Sequence, residues 1–236
     1  MPVDVLLIGA HPDDVEWSAG GIAILLQKEG VSFAILDLTA GEMGNRGTRA
    51  DRVQEAERAA QFLGGVAREN LSLPDGGLVD TPENRMLIAS VIRRYRPQIV
   101  LAPYWEDRHP DHAAAGQMVR NCRVFCTLKK SASPDAPHKP QAWLYFPLHH
   151  SYMPPSFVVD VSEVYEQKLE LLRVHKSQFG KTAEEFGVIP QGLGEYLFAL
   201  ESRDRFFGSL IGKRHGEALI ADGPLALTTV MKVLKL

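Results

Sequence analysis

The sequence predicts an α/β fold, a mostly parallel sheet flanked by helices, and three observations predict it. Val3–Ala10 and Gln98–Pro103 are almost continuous apolar runs, as strands buried on both faces require. Segments with helical apolar spacing fall between the β-rich runs, the alternation that builds parallel βαβ units. No linker or internal repeat divides the 236 residues, a length that fits one large domain. The expectation is a single Rossmann-like domain over 1–236, with its core at about 1–130 and a smaller C-terminal β/α lobe at about 138–236 packed on that core.

Each element has its own signal. After Val3–Ala10, Ile22, Leu25 and Leu26 recur at helical spacing within Ser18–Glu29, and Gly30 stops that helix. Val31–Thr39 is the next strand. Arg49–Leu63 is helical and ends at Gly64-Gly65. A short strand near Leu71-Ser72-Leu73 precedes a PDGG turn, Glu83–Tyr95 is a helix, and Pro97 leads into Gln98–Pro103. Ser131–Pro140, rich in Ser, Pro and Lys, is an exposed loop. In the C-terminal lobe, Ala142–Leu148 and Phe157–Val161 read as strands, Glu163–Gln178 and Glu195–Leu210 as helices, and the tail holds a short strand.

Composition narrows the function. The chain is 45% apolar and 23% charged, ordinary for a protein with a sizeable core. A net charge of −3 and a pI near 6.2 give no basic field, so nucleic acid is not an expected partner. No apolar run approaches the roughly 18 residues that cross a membrane. The opening MPVDVLLIGA places an acid before a very short apolar run and does not read as a signal peptide, so a cytoplasmic location is expected. Cys122 and Cys126 share one helix face and read as small buried groups, since thiols in a reducing compartment need no bridge.

Two clusters lie where core strands end, the place where open parallel sheets bind ligands. His11-Pro12-Asp13-Asp14 follows the first strand, and DRHPDH, Asp107 to His112, follows Gln98–Pro103. His109 and His112 stand three apart at a helix start, where Pro110 suits the first turn. Imidazoles and carboxylates with no nearby compensating cation are the set that a catalytic zinc prefers. The glycines of GEMGNRG lack dinucleotide-loop spacing, so that stretch reads as a flexible loop that can wall a pocket. His149-His150 could supply ligands but reads first as surface or subunit contact, and Tyr145 and Phe146 as strand core.

At these residues the chain resembles a known family. HPDD with V-E, then GEMGNRGT with RADRVQEA, then PYWEDRHPDH, then HKSQF, in that order, is similar to the PIG-L/LmbE-like N-deacetylases, and most to their bacillithiol-biosynthesis branch. The likeness runs from about Val3 to near Glu217. It implies one zinc per subunit, with ferrous iron as the alternative, on His11, Asp14 and His112. It implies that Asp13 is the general base, that His109 faces the reacting carbonyl oriented by Asp111, and that Arg52 lies beside base and substrate. Tyr196, in GLGEYLFAL, matches a mobile tyrosine over the site, and Ser177 and Gln178 move toward it. Trp17 departs from the pattern, where a smaller residue is expected, and alters the pocket wall.

Physical chemistry fits this division of labour. With Asp14 on the metal, Asp13 is left to handle protons, and an adjacent Asp111 is expected to raise the His109 pKa and keep it charged. The implied substrate is a small amino-sugar molecule, best an N-acetylglucosaminyl malate, with a chitooligosaccharide or antibiotic intermediate as the alternative. Arg108, at the rim beside His109, is the expected partner of the malate carboxylates. Arg46 is a second candidate, although Arg46 and Arg49 taken singly read as solvated charges. A homo-oligomer, a hexamer by likeness, is expected. The rival class is a sugar- or nucleotide-binding module without chemistry, against which the retained Asp13 and the missing phosphate loop both argue.

Overall fold

A computed structural model describes residues 2–149, 153–179 and 193–225. Five strands run parallel: β1 (Val5–Gly9), β2 (Phe33–Thr39), β3 (Ala67–Leu73), β4 (Ile99–Pro103) and β5 (Ala142–Phe146). β6 (Phe157–Asp160) and β7 (Gly216–Ala221) are antiparallel, and the seven-stranded order is β3-β2-β1-β4-β5-β7-β6. Every residue of β1, β2 and β4 is buried, which is why β1 and β4 read as apolar runs, while β2 buries Asp37 against Arg68. The C-terminal strands extend this same sheet.

Helices cover both faces: α1 (Asp14–Lys28), α2 (Arg49–Phe62), α3 (Pro82–Tyr95), α4 (Pro110–Thr127), α5 (Tyr165–Val174), α6 (Lys176–Phe179) and α7 (Leu193–Leu210). One apolar core gathers Leu7, Ile35, Leu101 and Leu144 with α1 and α5. The other gathers Leu6, Ile8, Leu36 and Val100 with α3 and α4. Cys122 and Cys126 are buried in the second, as expected of small core groups. Because the chain steps from β1 outward to β3 and then returns to the other side of β1 as β4, the loops after β1 and β4 are neighbours at the switch in strand order.

Three boundaries differ from the sequence reading. α1 begins at Asp14 rather than Ser18, because the HPDD turn folds directly onto the helix. β3 spans seven residues, and its polar Arg68, Asn70 and Ser72 mask it in the sequence because they face partners at a sheet edge. The helix expected over Glu163–Gln178 breaks at His175, whose carbonyl accepts from the amides of Gln178 and Phe179.

α1 is interrupted at Ala19 (φ −135°), where the Glu217 carboxylate accepts from the amides of Gly21 and Ile22 at 2.8 and 2.7 Å. Gly21 is required there, since a Cβ would meet Val161 at 2.7 Å. Among the described residues no helix is long and apolar enough to cross a membrane.

Candidate metal centre and active site

The turn after β1 is built by Asp14. Its Oδ2 accepts from the backbone amides of Ala10 and His11 at 2.8 and 3.0 Å, and its Oδ1 lies 3.3 Å from His112 Nε2. The turn forces Asp13 to φ 123°, a conformation that L residues rarely hold and that surrounding contacts must impose. From the β4 side, His109 caps α4 and His112 lies in its first turn.

The two imidazoles meet. His11 Nδ1 and His112 Nε2 face each other at 3.2 Å, while the far nitrogen of each ring is engaged by carboxylates. His11 Nε2 lies 3.0 Å from Asp75 and 3.3 Å from Asp111, and His112 Nδ1 lies 3.3 Å from Asp107. When both rings are neutral with those protons donated outward, two lone pairs converge beside the Asp14 carboxylate, an arrangement that a cation between them would turn from repulsive to favourable. The three donor atoms of His11, Asp14 and His112 lie within 4.8 Å of one another, and this His-His-Asp set with an open side suits a catalytic divalent metal.

The local field says the same. Burial alone lowers the pKa of both rings, yet the hydrogen bonds that His11 donates to Asp111, Asp14 and Asp75 push it up to about 12. For His112 the Asp14 charge and the Asp107 bond outweigh burial and lift it to about 9. Asp14 is held well below the carboxylate range, burial being overcome by the two histidines. A dication satisfies this negative surround with both rings neutral.

Asp13 stands beside the ligands and is held by Arg52. The Arg52 guanidinium donates to the Pro12 carbonyl at 2.6 Å and to Asp13 Oδ1 at 3.2 Å. It lies against Gly41, where a Cβ would come within 2.8 Å of its central carbon, so the glycine of GEMGNRG is needed at φ +66°. Burial, opposed by Arg52 but aided by Asp14, pushes the Asp13 carboxyl above its ordinary value, as suits a base.

The expected role of Asp111 needs correction. Its carboxylate accepts from the amides of Gly76 and Leu78 at 2.7 and 3.1 Å and meets His11, while only its backbone N–H reaches His109 Nδ1, at 3.2 Å. His109 is therefore not kept charged by Asp111: burial and the neighbouring His112 and His11 lower its pKa. With Nδ1 accepting, the neutral ring carries its proton on Nε2.

A cavity of about 700 Å³ opens over this cluster. His11, Asp13, Asp14, Arg52, His109 and His112 line it together with Arg46, Gln178 and Tyr196, all anticipated from the sequence. Arg108 is exposed and is not part of the lining. Trp17 forms one wall, stacked on Phe179 at 5.6 Å with Tyr196 against its edge. Gln178 Nε2 donates to the Arg46 carbonyl at 2.8 Å, and Ser177 is held through its amide and hydroxyl by buried Glu55 at 2.6 and 2.7 Å.

Sequence reasoning missed four contributors. Asp75 sits in a PDGG stretch that signals only a turn, and Glu55 looks like an ordinary helix-surface acid one turn after Arg52. Asp107 lies inside the DRHPDH cluster without an evident role until His112, His149 and the His109 amide are seen to converge on it. His149 was read as surface or subunit contact. It lines the cavity instead, stacked on His112 at 5.0 Å, because the turn after β5 bends over the β4 loop. His150 lies outside the described residues.

Comparison with known proteins agrees with this geometry. Residues 6–123 match the family model PIG-L, GlcNAc-PI de-N-acetylase. A diacetylchitobiose deacetylase of Thermococcus kodakarensis is 32% identical over 91% of this chain and 81% of its own length. A probable N-acetyl-alpha-D-glucosaminyl L-malate deacetylase 2 of Bacillus cereus is 30% identical over 74% of this chain and 83% of its own. The crystal structure of the conserved protein TT1542 from Thermus thermophilus superimposes with a TM-score of 0.83, at 35% identity, covering 94% of this chain and 96% of that one. With the HPDD and HPDH turns meeting at the switch point and the family model spanning both, the chain belongs to the PIG-L family.

Proposed function

We infer that this protein is a metal-dependent N-deacetylase that hydrolyses the acetamide of an N-acetylglucosamine unit, with zinc on His11, Asp14 and His112. The observation that carries the reading is the pair of facing imidazole nitrogens beside Asp13, whose carboxylate stands on a strained backbone and is held by Arg52. Zinc supplies a Lewis acid that polarises the acetyl carbonyl and acidifies water. Asp13 takes the proton of the attacking water and returns it to the departing amine. His109, neutral and protonated on Nε2, donates to the carbonyl oxygen as negative charge builds there. Arg52 keeps Asp13 aimed, and Trp17, Phe179 and Tyr196 shield one side of the cavity from water.

The aglycone has two readings. The malate conjugate expected from the sequence is supported by the Bacillus cereus relative and by Arg46 on the cavity wall. A second amino sugar is supported by the Thermococcus kodakarensis relative and by the position of Arg108 outside the lining. Amine release from a panel of acetylated glucosamine conjugates, with the protein's metal measured alongside, separates these readings and separates zinc from ferrous iron. A metal-loaded protein that releases amine from none of them sinks the deacetylase reading.

The same reading includes a cytoplasmic homo-oligomer. Phe198 (71% exposed), Phe206 and Leu210 on α7 support a covered face, while Tyr152 of the apolar Tyr152–Phe157 stretch lies outside the described residues. Light scattering that finds only a 26.1 kDa species removes the oligomer.

A further inference from the structure

Resting on the deacetylase reading, we propose that His149 binds the substrate directly, its Nε2 accepting a hydrogen bond from a sugar hydroxyl. Asp107 fixes the ring. Its Oδ1 lies 3.0 Å from His149 Nδ1, and its Oδ2 accepts from the His149 amide at 2.9 Å. The ring is also parallel to His112, with 5.0 Å between centroids and 13° between planes. The preceding residue is anchored as well, since Arg203 donates to the Leu148 carbonyl at 2.9 Å.

With Nδ1 held by Asp107, Nε2 is the ring nitrogen left to meet a ligand. The side chain is 23% exposed and lines the cavity. Among the described residues no group is recorded against that nitrogen. The neighbouring acceptors are otherwise engaged. Asp75 receives the Met43 amide and faces His11, Asp111 receives Gly76 and Leu78, and Asp14 receives Ala10 and His11. A sugar whose hydroxyls must each find an acceptor on leaving water meets a fixed one at His149. The shared Asp107 then places that hydroxyl relative to the metal centre, because the same oxygen lies 3.3 Å from His112 Nδ1.

His149→Asn tests this cleanly. The asparagine amide can replace the Nδ1 donor to Asp107 but leaves nothing at the Nε2 position. The expected result is a KM for N-acetylglucosamine conjugates raised roughly three- to tenfold, as for one neutral hydrogen bond. The kcat and the metal content should be unchanged. A series of monodeoxy N-acetylglucosamines identifies the partner: one of them should show the same loss with the unaltered enzyme and no further loss with His149→Asn. Calorimetric binding of N-acetylglucosamine should weaken by the same factor.

If His149→Asn loses metal, His149 is a ligand or a ligand support and the proposal falls. It also falls if the full deoxy series stays as sensitive to the substitution as the parent sugar. If the unaltered protein binds the sugar in the calorimeter but releases no amine, the catalytic reading fails while the contact stands or falls on the binding ratio alone.

Discussion

Asp13 and Asp14 are adjacent in sequence, and their contrasting environments support the opposite tasks proposed for them. Asp14 is saturated by two backbone amides and two imidazoles, whereas Asp13 faces Arg52 from a strained backbone with its carboxyl pushed upward. His112→Ala is expected to strip the metal. Asp13→Asn should retain it and lose about 10²–10⁴ in kcat, and metal analysis beside turnover checks both. Full turnover in metal-loaded Asp13→Asn would remove Asp13 as base.

Metal uptake should also release protons. His11 and His112, raised to about 12 and about 9, are both protonated at neutral pH in the metal-free chain, and a metal takes them neutral. Near pH 7 about two protons should leave on binding, one from each ring, and affinity should climb with pH, less steeply above about 9 where the His112 share disappears. Calorimetry in buffers of different ionisation enthalpy reads the count. A count of zero at pH 7 contradicts the charged resting state.

At the scale of elements, α2 does two jobs from one face. Arg52 reaches the base, and Glu55, three residues on, grips Ser177 and so sets Gln178 and Phe179 on the cavity wall. Gly47 permits this closeness, since a Cβ there would lie 2.6 Å from that of Ser177. Glu55→Ala should therefore raise KM roughly three- to tenfold with metal content and kcat held. It should also change tryptophan emission through the Trp17–Phe179 stack, a change that Trp17→Phe abolishes. A fall in kcat without a KM effect would place Glu55 in the chemistry instead.

The strands and the two turns that carry the proposed metal ligands were legible because apolar runs and clustered acids are local signals. The α2 clamp was not, because its partner lies 122 residues away and neither residue is unusual where it stands. His149 was missed for the same reason: only the pairing of β5 with β4 shows that the turn after β5 closes over the site. The break at His175 escaped notice because helical spacing continues across it.

For the whole molecule, buried charge ties the site to the rest of the fold. Arg68 of β3 binds Asp37 of β2 through two hydrogen bonds and Glu16 of α1 through another, all nearly closed to solvent. Removing the cation leaves two like charges unpaired, so Arg68→Met should cost about 3–5 kcal/mol, read as a lower denaturant midpoint at unchanged m. An unchanged midpoint would show the pair to be dispensable. Burial works to raise the Glu16 carboxyl, but Arg68 and His175 overcome it and hold it below the usual glutamate value. Its contribution is thus present above the unfolded pKa of about 4.3 and is lost as pH falls below it.

The interruption of α1 at Ala19 carries a consequence for synthesis. All three proposed metal ligands have been made once the chain reaches His112, yet the acid that caps the second half of α1 is Glu217, 195 residues beyond Ile22. The turn bearing Asp14 thus sits on a helix whose continuation waits for β7 to dock and for Lys168, which also binds Asp204, to neutralise that acid. Contacts spanning 195 residues form late. A ribosome-bound chain stalled before Glu217 should hold those residues without the scaffold that aligns them, so metal capture belongs after Glu217 has emerged and docked.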